Sequence, residues 1–287
     1  MPCLAKGSGR AGGKTLGVPA GAGPAGMGEV FVAGGGGVDA LSYNPAGLAE
    51  TKGHEASLSY MKGMVDENYG ALGWSGDLGK AGSFGVNVVY YDGGKLEWNR
   101  QDGTTETVKA QKDVSINAGW AKGIGERMSF GVGIKYLSSK LADRYSASAF
   151  AGDIGAACKT GVDGLTVALS VMNVGTKIKY LDEGDPVAMM IRAGVMYSGV
   201  LFEGHSVTGG LDIVKPDDGG IAENAGVEYS YAETAFLRAG YRFSGDLNKL
   251  SVGAGYQTMG VRLDYAVAAL STINPVHRVT LTYKISP

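Results

Sequence analysis

The chain has 287 residues, a formal net charge of −2, and 49 glycines against 8 prolines. The near-neutral balance leaves no electrostatic footprint for nucleic acid, and so much glycine with so little proline is not the composition of a disordered linker protein. No run approaches 18 consecutive apolar residues, which excludes a transmembrane helix, and two cysteines, Cys3 and Cys158, make neither a disulfide framework nor a metal site.

Residues 1–20 read as irregular, either disordered or a misassigned start. Met1 to Gly17 is Gly-rich and basic (Lys6, Arg10, Lys14), with no apolar centre, so no signal peptide is visible. Gly12-Gly13-Lys14-Thr15 looks like the end of a P-loop, but Ser8 stands where the motif needs Gly and no strand precedes it. Gly21-Ala22-Gly23-Pro24-Ala25-Gly26 matches the dinucleotide fingerprint in letters only. Pro19 interrupts the short stretch before it, and Gly34 to Gly37 break the chain too soon for a helix aimed at pyrophosphate. No nucleotide partner is expected.

Residues 21–53 form a separate unit. Its apolar positions Ala40, Leu41, Tyr43 and Leu48 suit short helical turns, with Asp39 as a cap for the first and Asn44 capping a second that opens at Pro45. From His54 onward every second residue is apolar or aromatic, as in Phe84–Tyr90, Val114–Trp120, Phe130–Tyr136 and Val279–Ile285. A period of two means a strand with one greasy and one polar face. Such segments begin near residues 54, 67, 81, 113, 128, 145, 164, 187, 205, 222, 234, 250, 260 and 276. An even set of about 14 strands, with Gly, Ser, Asn and charges on the polar faces, predicts an all-β, antiparallel up-and-down transmembrane barrel over residues 54–287. Lipid would lie outside and a wet lumen inside. Tyr60, Trp74, Tyr90, Trp120, Tyr136, Tyr197 and Tyr283 fall towards strand ends, where interface girdles place aromatics.

The same parity assigns charges to the lumen. With Val279, Leu281, Tyr283 and Ile285 facing lipid, Arg278 and Lys284 face in, and so do Lys135, Arg192, Asp212, Glu228, Arg238, Arg242, Arg262 and Asp264. Mixed signs predict a charge-paired, hydrated filling. Polar loops at 93–112 and 177–186 are the longest connections. His54, His205 and His277 are isolated, no Ser/His/Asp grouping stands out, and neither catalytic residues nor a cofactor is expected.

Ala25-Gly26-Met27-Gly28, Val30-Phe31-Val32-Ala33 and above all Asn44-Pro45-Ala46-Gly47-Leu48 resemble the PorV/PorQ-like outer-membrane proteins, a branch related to the FadL-type channels. Leu237–Tyr241, Leu250–Tyr256, Leu263–Ala266 and His277–Leu281 are similar too. The resemblance implies a 14-stranded barrel in the bacterial outer membrane with residues 21–53 as a plug inside it. Asn44, Pro45, Ala46 and Gly47 would then lie in the lumen. It implies an accessory or docking role in type IX-like secretion, with secreted cargo or secretion machinery as partners at the 93–112 and 177–186 loops. The FadL side of the family implies the alternative, passive passage of a hydrophobic solute, for which Met172, Met189 and Met190 are candidate pocket residues. The chain departs from the family pattern in lacking a leader and a terminal aromatic, ending Tyr-Lys-Ile-Ser-Pro.

Overall fold

The period-two segments become strands whose apolar side chains all leave by one face. The computed structural model describes residues 11–63, 66–99, 103–244, 249–270 and 273–285. In chain order the strands are β1 (His54–Lys62), β2 (Asn68–Asp77), β3 (Ser83–Asp92), β4 (Lys95–Asn99), β5 (Thr105–Lys109), β6 (Gln111–Ile124), β7 (Met128–Leu141), β8 (Tyr145–Lys159) and β9 (Leu165–Gly175). There follow β10 (Lys177–Lys179), β11 (Gly184–Pro186), β12 (Met190–Phe202), β13 (His205–Pro216), β14 (Ala222–Tyr231), β15 (Ala235–Phe243), β16 (Lys249–Thr258), β17 (Val261–Leu270) and β18 (Ile273–Ile285).

Fourteen of them close into a single antiparallel barrel: β1–β3, β6–β9 and β12–β18. Each pairs with its neighbour in sequence, and β1 zips onto β18 from His54↔Ile285 to Lys62↔His277. Closure leaves no open edge. The strand starts fall within three residues of the sequence expectation at every position, with the widest gaps at Met190 and Ile273. β4–β5 and β10–β11 are separate two-stranded ribbons inside the two long connections.

The outer face is a belt of large apolar side chains. Leu72, Ile134, Phe150 and Leu237 are each more than 60% exposed. In water such a continuous patch would be a liability; around a closed barrel it is the lipid-facing surface. No helix among the described residues is long and apolar enough to cross a membrane. Ile134, 71% exposed, sits at the middle of β7. Ile134→Arg is expected to destabilise the barrel by about 2–4 kcal/mol, and Ile134→Leu to be neutral, in urea unfolding from lipid bilayers.

The two ends differ. At one, short turns join the strands, including Met259-Gly260 and Ala232-Glu233, whose positive φ values mark tight hairpins. The first strand begins and the last ends there. The other end carries the long connections between β3 and β6 and between β9 and β12.

Candidate functional site in the plugged lumen

Residues 11–53 run through the barrel from the loop end to the short-turn end. Residues 11–20, expected to lack order, are held in place from residue 11 on; Cys3 and the rest of 1–10 lie outside the described residues. Gly12 forms a parallel bridge to Val187, its N–H donating to Pro186 O at 2.9 Å. The Ala11 N–H donates to Asp218 Oδ2 at 3.1 Å, and Thr15 Oγ1 donates to Asp113. The P-loop-like Lys14–Gly17 is a 3-10 turn with Thr15 and Leu16 buried. The dinucleotide-like stretch is a five-residue helix, Ala22–Gly26, packed against β15–β18.

Two further turns follow, Ala40–Tyr43 and Pro45–Glu50. Asn44 caps the second: its Oδ1 accepts the Ala46 N–H at 3.0 Å, with Pro45 opening the turn. Asp39 does not cap the first. It has helical φ/ψ and no side-chain cap hydrogen bond, because its carboxylate is packed against Gly21 instead. Asn44 does more than cap. Its Nδ2 donates to Val32 O at 3.0 Å and to Ala156 O of β8 at 3.3 Å, so one buried amide ties two plug segments to the wall. Ser170 Oγ donates to Tyr43 O, and Asp212 Oδ2 accepts the N–H groups of Phe31 and Val32 at 2.7 and 2.9 Å.

The glycine excess has its explanation here. Gly210, Gly226 and Gly240 lie side by side on β13, β14 and β15 and face the lumen. A Cβ on Gly226 or Gly240 would strike the backbone of Met27–Gly28. Across the barrel, Gly131 and Gly155 leave room for Asn44 and Pro45, and Gly85 and Gly119 for Leu41 and Leu48. The plug backbone rests directly on a wall stripped of side chains.

Around these contacts the charges fall into clusters. Arg238 pairs with Glu228 at 2.5 Å and Asp264 at 2.8 Å, and Arg262 Nε lies 2.8 Å from Asp264. Both guanidinium groups also lie over the Phe236 ring, at 5.4 and 4.3 Å. Arg242 and Arg278 each reach plug residue Glu29 at 3.0 Å. Burial works against the charge on Glu29, but Arg278 and Arg242, then Lys249 and Arg192, outweigh it and hold its carboxyl down to about 2. Lys135 pairs with Asp153 at 3.0 Å and donates to Asn173 Oδ1 at 2.7 Å. Arg192 makes no ion pair among the described residues and lies over the Tyr43 ring at 5.2 Å. Lys284 is exposed and lines the short-turn mouth.

Glu29 and Tyr43, the plug residues beside these charges, were not among the residues singled out by parity. Asp153 carried the same signal: Ile154 and Ala156 point outward, which sends Asp153 in. Met172 is fully buried, Met190 packs beside Gly17, and Met189 O accepts the Asp217 N–H. The three do not line a common cavity among the described residues.

The lumen is polar at one end and greasy at the other. Two chambers of about 420 and 530 Å³ open at the short-turn end and share Gly34, Gly35, Glu50 and Lys52. At the loop end Leu16 meets Leu137, Ala149, Ala151, Ile178 and Val187 in an apolar cluster. Ile178 comes from the ribbon β10–β11, so the 177–186 connection turns inward over the mouth; it is not a polar outer loop throughout.

Asp39 faces one of the polar chambers. Burial first, then the carboxylates of Glu55 and Asp264, push its carboxyl up to about 6 against Arg262 and Arg278. A raised acid pKa penalises the charged form. The penalty is full above pH 6 and disappears as pH falls towards 3.8. Asp39→Asn is expected to stabilise the seated plug at pH 7 by up to ~3 kcal/mol, with no gain at pH 3.5. Protease cleavage of the plug measured at both pH values checks this.

No protein-family model matches the chain, and no curated protein does. Solved structures share the fold. The Pseudomonas putida toluene transporter TodX aligns with a TM-score of 0.69 at 12% identity, covering 95% of this chain and 99% of that one. The Ralstonia pickettii toluene transporter TbuX gives 0.64 at 12% identity, covering 93% and 98%. A Pseudomonas aeruginosa FadL homologue gives 0.59 at 12% identity, covering 94% and 99%. What the chain shares with them is the fold, a closed 14-stranded transmembrane barrel.

Proposed function

We propose that this chain is an outer-membrane channel for passive passage of small hydrophobic molecules. The observation that carries the reading is the apolar cluster inside the loop-end mouth. Leu137, Ala149 and Ala151 are buried on the inner face at this end, away from the ion pairs that crowd the lumen around Arg238 and Glu29. In a hydrated barrel, apolar lining at the entrance serves a greasy solute. The N-terminal Leu16 and the ribbon residue Ile178 fill that place here, and a solute binds by taking over their contacts. The loop end faces outward, as long loops do in such barrels, and the short-turn end faces the periplasm. Structural likeness to toluene transporters supports the same reading.

The secretion-docking reading suggested by the PorV/PorQ resemblance has no comparable support. Of the two loops assigned to partner contacts, 177–186 folds into the mouth, and the solved structures named above are described as transporters of toluene or as a FadL homologue.

The test is uptake of radiolabelled toluene by cells whose own hydrocarbon channel has been deleted. Expression of this barrel is expected to raise uptake severalfold, and Leu137→Asp to abolish the gain while the heat-dependent gel shift of a folded barrel persists. Co-purification of a large secreted protein, with no gain in uptake, would restore the docking reading.

A further inference from the structure

Among the described residues around Glu29 the cations outnumber the acids. Arg242 Nη1 donates to one carboxylate oxygen and Arg278 Nη2 to the other, both at 3.0 Å. Lys249 sits opposite Arg242 in the β15–β16 register, within electrostatic reach of Glu29, Arg242 and Arg278. Each oxygen of Glu29 thus already accepts from one guanidinium, and Lys249 adds a further positive charge that this single carboxylate does not balance. Two donors in the group, Arg242 Nε and Arg278 Nη1, have no hydrogen-bond partner among the described residues. The Arg278 side chain is only 9% exposed. A buried, charged donor left unpaired is costly, so something accepts from it.

The same residues, with Ser251, line a cavity of about 20 Å³ between plug residues Ala25, Gly28 and Glu29 and the wall. That is room for one water-sized occupant. A phosphate or the tail of an amphiphile does not fit. Water fits but carries no net charge; a monatomic anion accepts from the free donors and also offsets the surplus positive charge.

We propose that this cavity binds a small monovalent anion of the halide class, held by Arg242, Lys249, Arg278 and Ser251 at the seam between plug and barrel. The anion joins Glu29 in neutralising the wall cations, and its loss leaves like charges facing one another behind the plug. Seating of the plug therefore depends on halide independently of any transported solute.

The experiment compares purified barrel at fixed ionic strength in chloride, bromide or gluconate, the last too large to enter. Resistance of the plug to protease is expected to fall in gluconate and to recover saturably with bromide. Bromide-soaked crystals are expected to show an anomalous peak between Arg242 and Arg278. Lys249→Gln, which leaves both Glu29 ion pairs intact, should raise the half-saturating bromide about tenfold or more. Arg278→Gln gives a second variant with the free donor removed, expected to lose the peak. An absent peak in the wild-type protein overturns the proposal. So does a peak accompanied by plug stability that ignores the choice of anion.

Discussion

Gly226→Val combined with Gly240→Val is expected to unseat the plug while leaving the barrel assembled. Both glycines face inward, and any Cβ there meets the backbone of Met27–Gly28. Backbone cannot swing aside as a flexible side chain does, so the cost sits at or above the upper end of the ~1–3 kcal/mol typical of overpacking. The lipid-facing residues on the same strands, such as Val227 and Leu237, are untouched, so insertion into the membrane proceeds. In a planar bilayer the double variant should conduct ions many times better than the parent, and protease should cut between residues 21 and 44. Gly70→Val is the control, because nothing lies within 4 Å of a Cβ at that position. A double variant as tight and protease-resistant as the parent would show that the wall glycines do not set the plug's position.

Removing Lys135 should be the most destabilising single change in the wall. Lys135 and Asp153 are paired at 3.0 Å, with side chains 3% and 2% exposed. Asp153 Oδ1 also accepts the N–H of Asn173, which stands at φ 61° in the irregularity where two residues of β9 oppose one of β8. Lys135 closes the network on Asn173 Oδ1, and Asn173 Nδ2 donates to Ala188 O beyond the end of β9. One ion pair therefore holds a bulge and ties the chain leaving it to the mouth. Lys135→Ala strands a buried carboxylate and is expected to cost about 3–5 kcal/mol. Replacing both partners, Lys135→Met with Asp153→Leu, leaves no orphan charge and should cost much less than the single change. Urea midpoints of the three proteins, measured in the same lipid, decide the order. A double variant as unstable as Lys135→Ala would mean the bulge itself, and not the stranded charge, carries the loss.

The strand order and the two-sided pattern of the strands were legible in the residues themselves. Alternation is a local property: Val279, Leu281 and Tyr283 declare their face through their own neighbours, and Arg278 must then take the other. Asn44 as a cap and Pro45 as the start of a turn were legible for the same reason, since a cap needs only residues close in sequence. Some turns gave less. Ala142-Asp143 and Ala232-Glu233 make tight hairpins without glycine or asparagine, because the barrel register holds their positive φ values in place.

What only the tertiary structure decided is what meets inside the cylinder. Glu29 reaches Arg242 and Arg278 across more than two hundred residues of chain, and no periodicity encodes that distance. The ordered path of residues 11–18 depends on contacts with Asp113, Pro186 and Asp218, all distant in sequence. Ile178 looked like part of a polar loop because its neighbours are charged, yet it is buried when β10–β11 folds over the mouth. A strand's pattern records which solvent each face meets, whereas the pairing of plug with wall is set by closure of the barrel, which brings segments together irrespective of their order along the chain.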